Sequence, residues 1–302
     1  MGCIKVEGGS QLRGDVSISG SKNAALAVLP ATLLCRDECV IHNVPDIADI
    51  HVMLRLITSA GGQCEFNDNT VTINAGHIDN PDLPEELVRS IRASIYMLGA
   101  LLPRLHKVRM ARPGGCNLNR RVNFHIDALT RMGATMEVDE SEEWLQAHCH
   151  RQRLLGTNIE LDPRWRSVGT TVNAMLAAVL AEGVTVIYNA AREPEVVNCA
   201  RFLKAMGARI DGEGTSTITI EGVHELHGCE FSIINDRIEA GTFLLAGAIT
   251  YGDVRVGPIN PRWLHPVLEK LEQTGVEITT YKDMLRANGY KRPRGASLTT
   301  AP

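Results

Sequence analysis

The stretch Arg131-Met132-Gly133-Ala134-Thr135-Met136-Glu137-Val138 joins an amphipathic segment to a short alternating one through Gly and a small residue. Three other segments repeat the pattern: Ser59-Ala60-Gly61-Gly62-Gln63-Cys64-Glu65-Phe66, Ala205-Met206-Gly207-Ala208-Arg209-Ile210 and Gln273-Thr274-Gly275-Val276-Glu277-Ile278. Gly61, Gly133, Gly207 and Gly275 follow one another at intervals of 72, 74 and 68 residues. A glycine there suits the residue just past a helix, where a positive φ penalises any side chain. The alternation beyond it describes a strand with one buried face. Four copies at near-equal spacing point to an internal repeat of about 70 residues.

The other half of each copy repeats as well. An Ala/Leu-rich helix followed by a strand is expected at Ala24–Leu34 and Cys39–Asn43, and again at Ala93–Leu102 and Lys107–Ala111. The same order recurs at Val172–Ala181 and Val184–Asn189, then at Gly241–Ile249 and Asp253–Gly257, with further strands at Asn69–Asn74 and Ser216–Glu221. Each copy therefore reads helix, strand, turn, helix, Gly, strand, and the fold class is α/β, in compact domains built from one repeated unit. The polar, Gly-containing segment Gly222–Ile233 reads as a linker before the fourth copy. The basic tail Tyr281–Pro302 reads as a solvated turn and a short strand.

Composition sets the outer limits. The 302 residues are 44 % hydrophobic and 22 % charged with a formal net charge of −4, which describes a globular protein and excludes disorder and fibrous repeats. Only 4 % are aromatic, so the core falls to Leu, Ile, Val, Ala and Met. Mixed, slightly acidic charge argues against nucleic-acid binding. The longest apolar run, Ala24 to Cys35, is interrupted by Pro30 and Thr32 and falls short of the roughly 18–20 residues of a membrane span. Lys5, Glu7 and Arg13 break any signal peptide, and Val6 stands where a myristoylation signal needs Ser or Thr. The 8 cysteines include no Cys-x-x-Cys pair, so reduced thiols, a cytoplasmic location and no zinc site are expected. The histidines show no metal-ligand spacing. Neither a cofactor, a metal nor an obligate protein partner is expected.

Three segments carry candidate chemistry. In Pro113-Gly114-Gly115-Cys116-Asn117-Leu118-Asn119-Arg120-Arg121, a Gly-rich loop presents a cysteine beside arginines that favour the thiolate. Cys116 is therefore the best candidate for a reactive thiol, set against an incidental exposed cysteine in a basic turn. The arginines equally suit phosphate or carboxylate. Ser19-Gly20-Ser21-Lys22-Asn23 precedes a helix and reads either as an anion-binding helix start or as a plain cap with a solvated Lys. Arg164-Trp165-Arg166-Ser167-Val168-Gly169-Thr170-Thr171 is a second such start, and Arg92 with Ser94 occupies the same place in its own copy. Convergent anion sites favour a nucleotide or phosphorylated substrate. Glu193 and Glu195, and Asp236 and Glu239, are either acid/base pairs or structural carboxylates balanced by Arg192 and Arg237.

Together Ile18-Ser19-Gly20-Ser21-Lys22-Asn23-Ala24-Ala25-Leu26, Arg92-Ala93-Ser94-Ile95, Pro113-Gly114-Gly115-Cys116, Asn189-Ala190-Ala191-Arg192-Glu193-Pro194-Glu195 and Asp236-Arg237-Ile238-Glu239-Ala240-Gly241-Thr242 resemble the UDP-N-acetylglucosamine enolpyruvyl transferases, of the EPSP synthase superfamily. The resemblance implies an inside-out α/β barrel fold of six units, three per domain, with substrates bound between the domains. It implies transfer of enolpyruvyl from phosphoenolpyruvate to the 3′-hydroxyl of UDP-N-acetylglucosamine, the first committed step of peptidoglycan synthesis, without metal or cofactor. By resemblance Cys116 is the proton donor and the residue fosfomycin alkylates. Lys22 and Asn23 meet phosphoenolpyruvate and the sugar, and Arg92 and Arg120 the phosphates and nucleotide. Arg121, Val122, Asn123 and Phe124 follow the nucleotide, and Arg166, Ser167, Val168 and Gly169 the diphosphate.

The resemblance has departures. The segment from Cys116 to His125 is one residue shorter than the family pattern, Arg121 replaces a Pro, Asn123 replaces an Asp and Trp165 replaces a Lys. Arg164 or Arg166 is expected to supply that last charge. The family's general-base Asp follows a few residues after a segment like Thr300-Ala301-Pro302. Six units need roughly 430 residues against the four units present, so the expectation is one complete domain at 22–233 and an incomplete one from 1–21 with 234–302. The competing reading is an inactive or regulatory nucleotide-sugar-binding protein; a third is another phosphate-ester enzyme on the same scaffold.

Overall fold

The computed structural model describes residues 3–115, 122–139 and 143–299. Its regular structure begins with β1 (Arg13–Ser17) and continues through four similar modules. The first holds α1 (Lys22–Ala31), β2 (Glu38–His42), α2 (Ala48–Ser59), β3 (Gln63–Asn67) and β4 (Thr70–Asn74). After α3 (Glu85–Ser90), the second holds α4 (Tyr96–Leu105), β5 (Lys107–Ala111), α5 (Asn123–Arg131), β6 (Thr135–Val138) and β7 (Trp144–His148). The short β8 (Asn158–Glu160) leads to the third: α6 (Val168–Ala178), β9 (Val184–Tyr188), α7 (Pro194–Ala205), β10 (Arg209–Asp211) and β11 (Thr217–Glu221). Past β12 (Glu230–Ser232), the fourth holds α8 (Arg237–Ile249), β13 (Asp253–Gly257), α9 (His265–Gln273), β14 (Glu277–Tyr281) and β15 (Met284–Asn288).

The four sheets share one topology. Their orders are β12-β2-β4-β3, β5-β7-β6, β8-β9-β11-β10 and β1-β13-β15-β14. In each, the module's last strand lies between its first two and runs antiparallel to both. Three sheets gain a parallel strand from outside the module, and in the second an isolated parallel bridge from Asp82 to Arg109 holds that place. Gly61, Gly133, Gly207 and Gly275 take φ values of 106°, 89°, 102° and 88°, the left-handed geometry their repeat position calls for.

Contacts divide the described residues into two compact units, Ser21–Ile234 in one, and the residues up to Gly20 with those from Asn235 onward in the other. In the larger unit three helices lie at the centre. α1, α4 and α6 are apolar nearly all round, are buried along most of their length, and pack together, α4 against α6 and α1 against α4 and α7. Small residues let the helices approach: a Cβ on Gly99 of α4 would overlap the Asn173 side chain of α6. Apart from Phe202, the largest fully buried side chains are Leu, Ile and Met. In the smaller unit α8 packs on β13 and β15, with Gly247 against Val254, and its Gly241 faces Leu264 and Val267, while Ile238, Leu245 and Ile249 are exposed.

Capping moves three helix starts from the expected positions. Ser21, Ser167 and Asp236 each accept a backbone N–H, so α1 opens at Lys22, α6 at Val168 and α8 at Arg237, earlier than the apolar pattern suggested. The helix expected at Ala93–Leu102 opens as a 3₁₀ turn, Arg92–Ile95, and becomes α-helical at Tyr96. The segment Gly222–Ile233 is not a linker. It carries β12, which pairs in parallel with β2 of the first module.

Candidate functional site

Each helix start in the larger unit places its residues differently. Ser21 is buried and accepts the Ala24 N–H at 3.4 Å, which leaves Lys22 and Asn23 exposed on the first turn of α1. Lys22 Nζ lies 3.0 Å from Asp49 Oδ2 on the first turn of α2, with both side chains about half exposed. Lys22, held by Asp49, thus places a cation at the positive end of α1.

At α6 the cap is double. Ser167 Oγ accepts from Thr170 N at 3.2 Å and from Thr170 Oγ1 at 2.9 Å, while Thr171 Oγ1 donates to Ser167 O at 2.9 Å. Thr171 Oγ1 in turn accepts the Ala191 N–H at 3.1 Å, which ties this start to the segment before α7. Val168 and Gly169 form the first turn. A Cβ on Gly169 would sit 3.3 Å from the His125 ring, a tight contact that places the two side by side. Arg166 precedes the cap with φ 34°, and its buried Nε has no hydrogen-bond partner. Arg164 is committed instead to Asp162 at 2.6 Å and holds that carboxyl at about 2. Of the two arginines expected to replace the missing lysine charge, Arg164 is thus held by a carboxylate, while Arg166 adjoins the α6 cap.

Arg92 is half-buried at the start of the 3₁₀ turn before α4, and its Nη1 donates to Pro113 O at 3.3 Å. Gly114 and Gly115 lie so close to the backbone of residues 89–92 that a Cβ on either would overlap it. The Pro-Gly-Gly segment, expected as a free surface loop, is anchored: Pro113 is buried and Gly114 N reaches Val88 O at 3.5 Å. Cys116, Arg120 and Arg121 lie outside the described residues. Ser94, grouped with Arg92 in the sequence, faces inward and donates to Val88 O and Ile91 O at 2.8 Å, so it contributes nothing to an anion site.

Val122 is the buried residue before α5, Asn123 is exposed on its first turn and Phe124 is half-buried. The next residue, His125, is one that sequence reasoning passed over. It is buried, its Nδ1 lies 3.0 Å from Asn173 Nδ2, and its ring edge faces Gly169. Burial, reinforced by the Arg92 charge, lowers its pKa to about 3, so the imidazole is neutral. His125 thereby joins Arg92 to the start of α6, bringing Arg92, Ser167, Val168 and Gly169 into one neighbourhood. The signal for it was the helical spacing of Val122, His125 and Leu129 on the buried face of α5.

Asp236 and Glu239 of the acidic clusters have structural roles. Glu193 is the N-cap position of α7 but makes no side-chain cap bond, whereas Asp236 caps α8 through Ile238 N and Glu239 N at 2.7 and 3.1 Å. Glu239 accepts from Ser19 N at 3.0 Å and Ser19 Oγ at 2.5 Å. Glu193 nonetheless keeps one buried oxygen, Oε2, without a partner. Among the described residues no group of His, Cys, Asp or Glu is arranged to hold a metal ion.

The family model for EPSP synthase (3-phosphoshikimate 1-carboxyvinyltransferase) matches residues 6–302. The chain is 40 % identical over 299 residues to UDP-N-acetylglucosamine 1-carboxyvinyltransferase 2 of Caldanaerobacter subterraneus subsp. tengcongensis. It is 44 % identical over 301 residues to UDP-N-acetylglucosamine 1-carboxyvinyltransferase of Dichelobacter nodosus. In both cases 99 % of this chain is covered, and it spans 70 % of the relative's length. Among solved structures, the enolpyruvyl transferase NikO from Streptomyces tendae superposes with a TM-score of 0.82 at 26 % identity, over 93 % of this chain and 66 % of that one. EPSP synthase from Acinetobacter baumannii, at 19 % identity and a TM-score of 0.74, shares the fold over 97 % of this chain and 68 % of its own.

Proposed function

Because the chain belongs to the EPSP synthase family, we propose that it transfers the enolpyruvyl group of phosphoenolpyruvate to the 3′-hydroxyl of UDP-N-acetylglucosamine and releases inorganic phosphate. The observation that carries the choice of acceptor is the 40–44 % identity to carboxyvinyltransferases of that nucleotide sugar along 99 % of the chain.

The helix starts suit these substrates. Val168 and Gly169 offer N–H groups and a positive helix end to the diphosphate, with Ser167 holding the turn and Arg166 adding charge. Lys22 pairs with the carboxylate or phosphate of phosphoenolpyruvate, and Asn23 with the sugar. Arg92 and Arg120 face the phosphates and nucleotide. Arg121, Val122, Asn123 and Phe124 line the nucleotide. The reaction is an addition followed by an elimination. Cys116 gives its proton to the methylene carbon as the sugar oxygen bonds to the carbon bearing phosphate. The new methyl group then returns a proton to the Cys116 thiolate as phosphate leaves and the double bond re-forms, and the proton lost by the sugar hydroxyl ends on the released phosphate.

On this reading the protein serves peptidoglycan synthesis, acts in the cytoplasm on small-molecule substrates, and is alkylated by fosfomycin at Cys116. No helix among the described residues is long and apolar enough to cross a membrane. The test of the cysteine assignment is fosfomycin labelling in the presence of UDP-N-acetylglucosamine. A covalent adduct on Cys116 that disappears in Cys116→Ser is expected; an adduct unchanged in the variant contradicts it.

A further inference from the structure

Cys35, Cys39 and Cys229 form a thiol cluster with no part in the proposed reaction. Cys39 is on β2 and faces inward with Ile41, both fully buried. β12 runs parallel to β2 with Glu230 opposite Val40, and Val40 N donates to Cys229 O at 3.0 Å, which sets Cys229 beside Cys39. The approach is close: Gly228 N donates to Asp37 Oδ2 at 3.2 Å, and a Cβ on Gly228 would overlap the Glu38 carbonyl. Cys39 Sγ lies 3.7 Å from Cys35 Sγ. Neighbouring strands are about 4.8 Å apart, within the Cα separations that disulfides span.

The three thiols are not equivalent. Cys229 is partly exposed, whereas Cys35 and Cys39 are buried. The polar Cys39 thiol beside it lowers the Cys229 pKa, while Cys229 and burial raise Cys39 to about 11. The hydrogen bond with Cys39 and burial raise Cys35 as well. The most ionised thiol is thus also the most accessible, which is the combination that selects a cysteine for oxidation.

We propose that Cys229 and Cys39 are an oxidisable dithiol, in which hydrogen peroxide oxidises Cys229 and Cys39 then closes a disulfide between β12 and β2. In the first step the Cys229 thiolate attacks one peroxide oxygen and the O–O bond breaks. The other oxygen leaves and, once protonated, is water, and Cys229 becomes a sulfenic acid. In the second, the Cys39 sulfur attacks the Cys229 sulfur, the S–S bond forms and the S–O bond breaks. The hydroxyl departs as water with the Cys39 proton. Two thiols lose two electrons and one peroxide is reduced to two waters. The bond would tie the last strand of the larger unit to its first module.

The test is a non-reducing peptide map of the purified protein after mild hydrogen peroxide treatment. A linked peptide pair joining Cys39 to Cys229, reversed by dithiothreitol, is expected in the wild type and in Cys35→Ser, and no such pair in Cys229→Ser. In Cys39→Ser, Cys229 should advance to the sulfinic acid. A wild-type map with Cys35 joined to Cys39 and Cys229 unmodified overturns the proposal, as does Cys229 advancing to the sulfinic acid without any link. The wild-type map and the partly exposed Cys229→Ser decide the question even where a change at buried Cys39 prevents folding.

Discussion

Asn173 on α6 donates from Nδ2 to Nδ1 of His125 on α5 across 3.0 Å. Its Oδ1 accepts the Gly99 N–H of α4 at 2.8 Å, which fixes the orientation of the amide. With an amide donor facing Nδ1, the imidazole proton must sit on Nε2, on the side of the ring near Gly169. One buried side chain therefore joins three helices and sets the tautomer of the histidine beneath the α6 start. Removing it in Asn173→Ala leaves His125 Nδ1 buried without a partner and takes the added side-chain acceptor from the Gly99 N–H. A loss of about 1–3 kcal/mol is expected by urea denaturation; an unchanged midpoint would contradict the network.

His125 also makes stability depend on pH. Its pKa falls from 6.5 unfolded to about 3 folded, so between these values the unfolded chain binds the extra proton. The stability tied to neutral His125 is fully present above pH 6.5 and is lost progressively as pH falls toward 3. The limiting slope is about 1.4 kcal/mol per pH unit. Denaturation midpoints from pH 7 to 4 should show this decline in the wild type and a shallower one in His125→Gln. Parallel declines would remove His125 as the cause.

Ser167 has two separable roles, cap and ligand neighbour. Ser167→Ala should cost about 1 kcal/mol of stability. Ser167→Asp preserves the cap and should restore that stability, yet its carboxylate repels a diphosphate. Calorimetric titration with UDP-N-acetylglucosamine should therefore show weaker binding in the Asp variant despite its normal melting temperature. Equal affinity in the Asp variant and the wild type would place the diphosphate elsewhere.

Lys22 and Asp49 form a half-exposed pair, worth about 0–1 kcal/mol to the fold. Lys22→Ala should leave the melting temperature nearly unchanged while lowering kcat/KM for phosphoenolpyruvate by about a hundredfold. A destabilised variant with intact turnover would make Lys22 a structural residue only.

Much of the fold was legible because it is local. The four glycines mark helix ends through a backbone angle that other residues resist, and the strands expected at Lys107–Ala111 and Asp253–Gly257 have those bounds in the structure. That a serine caps α1 and α6 was readable for the same reason, and the structure assigns the caps to Ser21 and Ser167. What escaped was decided by distant pairing or by orientation. β12 looks like a linker until its partner β2, far back in the chain, supplies the hydrogen bonds. Ser94 matches the polar helix-start pattern, yet its hydroxyl turns into the core. His125 has no nearby chemistry in sequence; Arg92, Gly169 and Asn173 reach it only through folding.

The central claim is the acceptor, and phosphate release measures it directly. The purified protein should liberate inorganic phosphate from phosphoenolpyruvate when UDP-N-acetylglucosamine is present and not when it is omitted, and Cys116→Ser should suppress that release. Release supported by shikimate 3-phosphate in place of UDP-N-acetylglucosamine, or no release with the nucleotide sugar, would contradict the assignment.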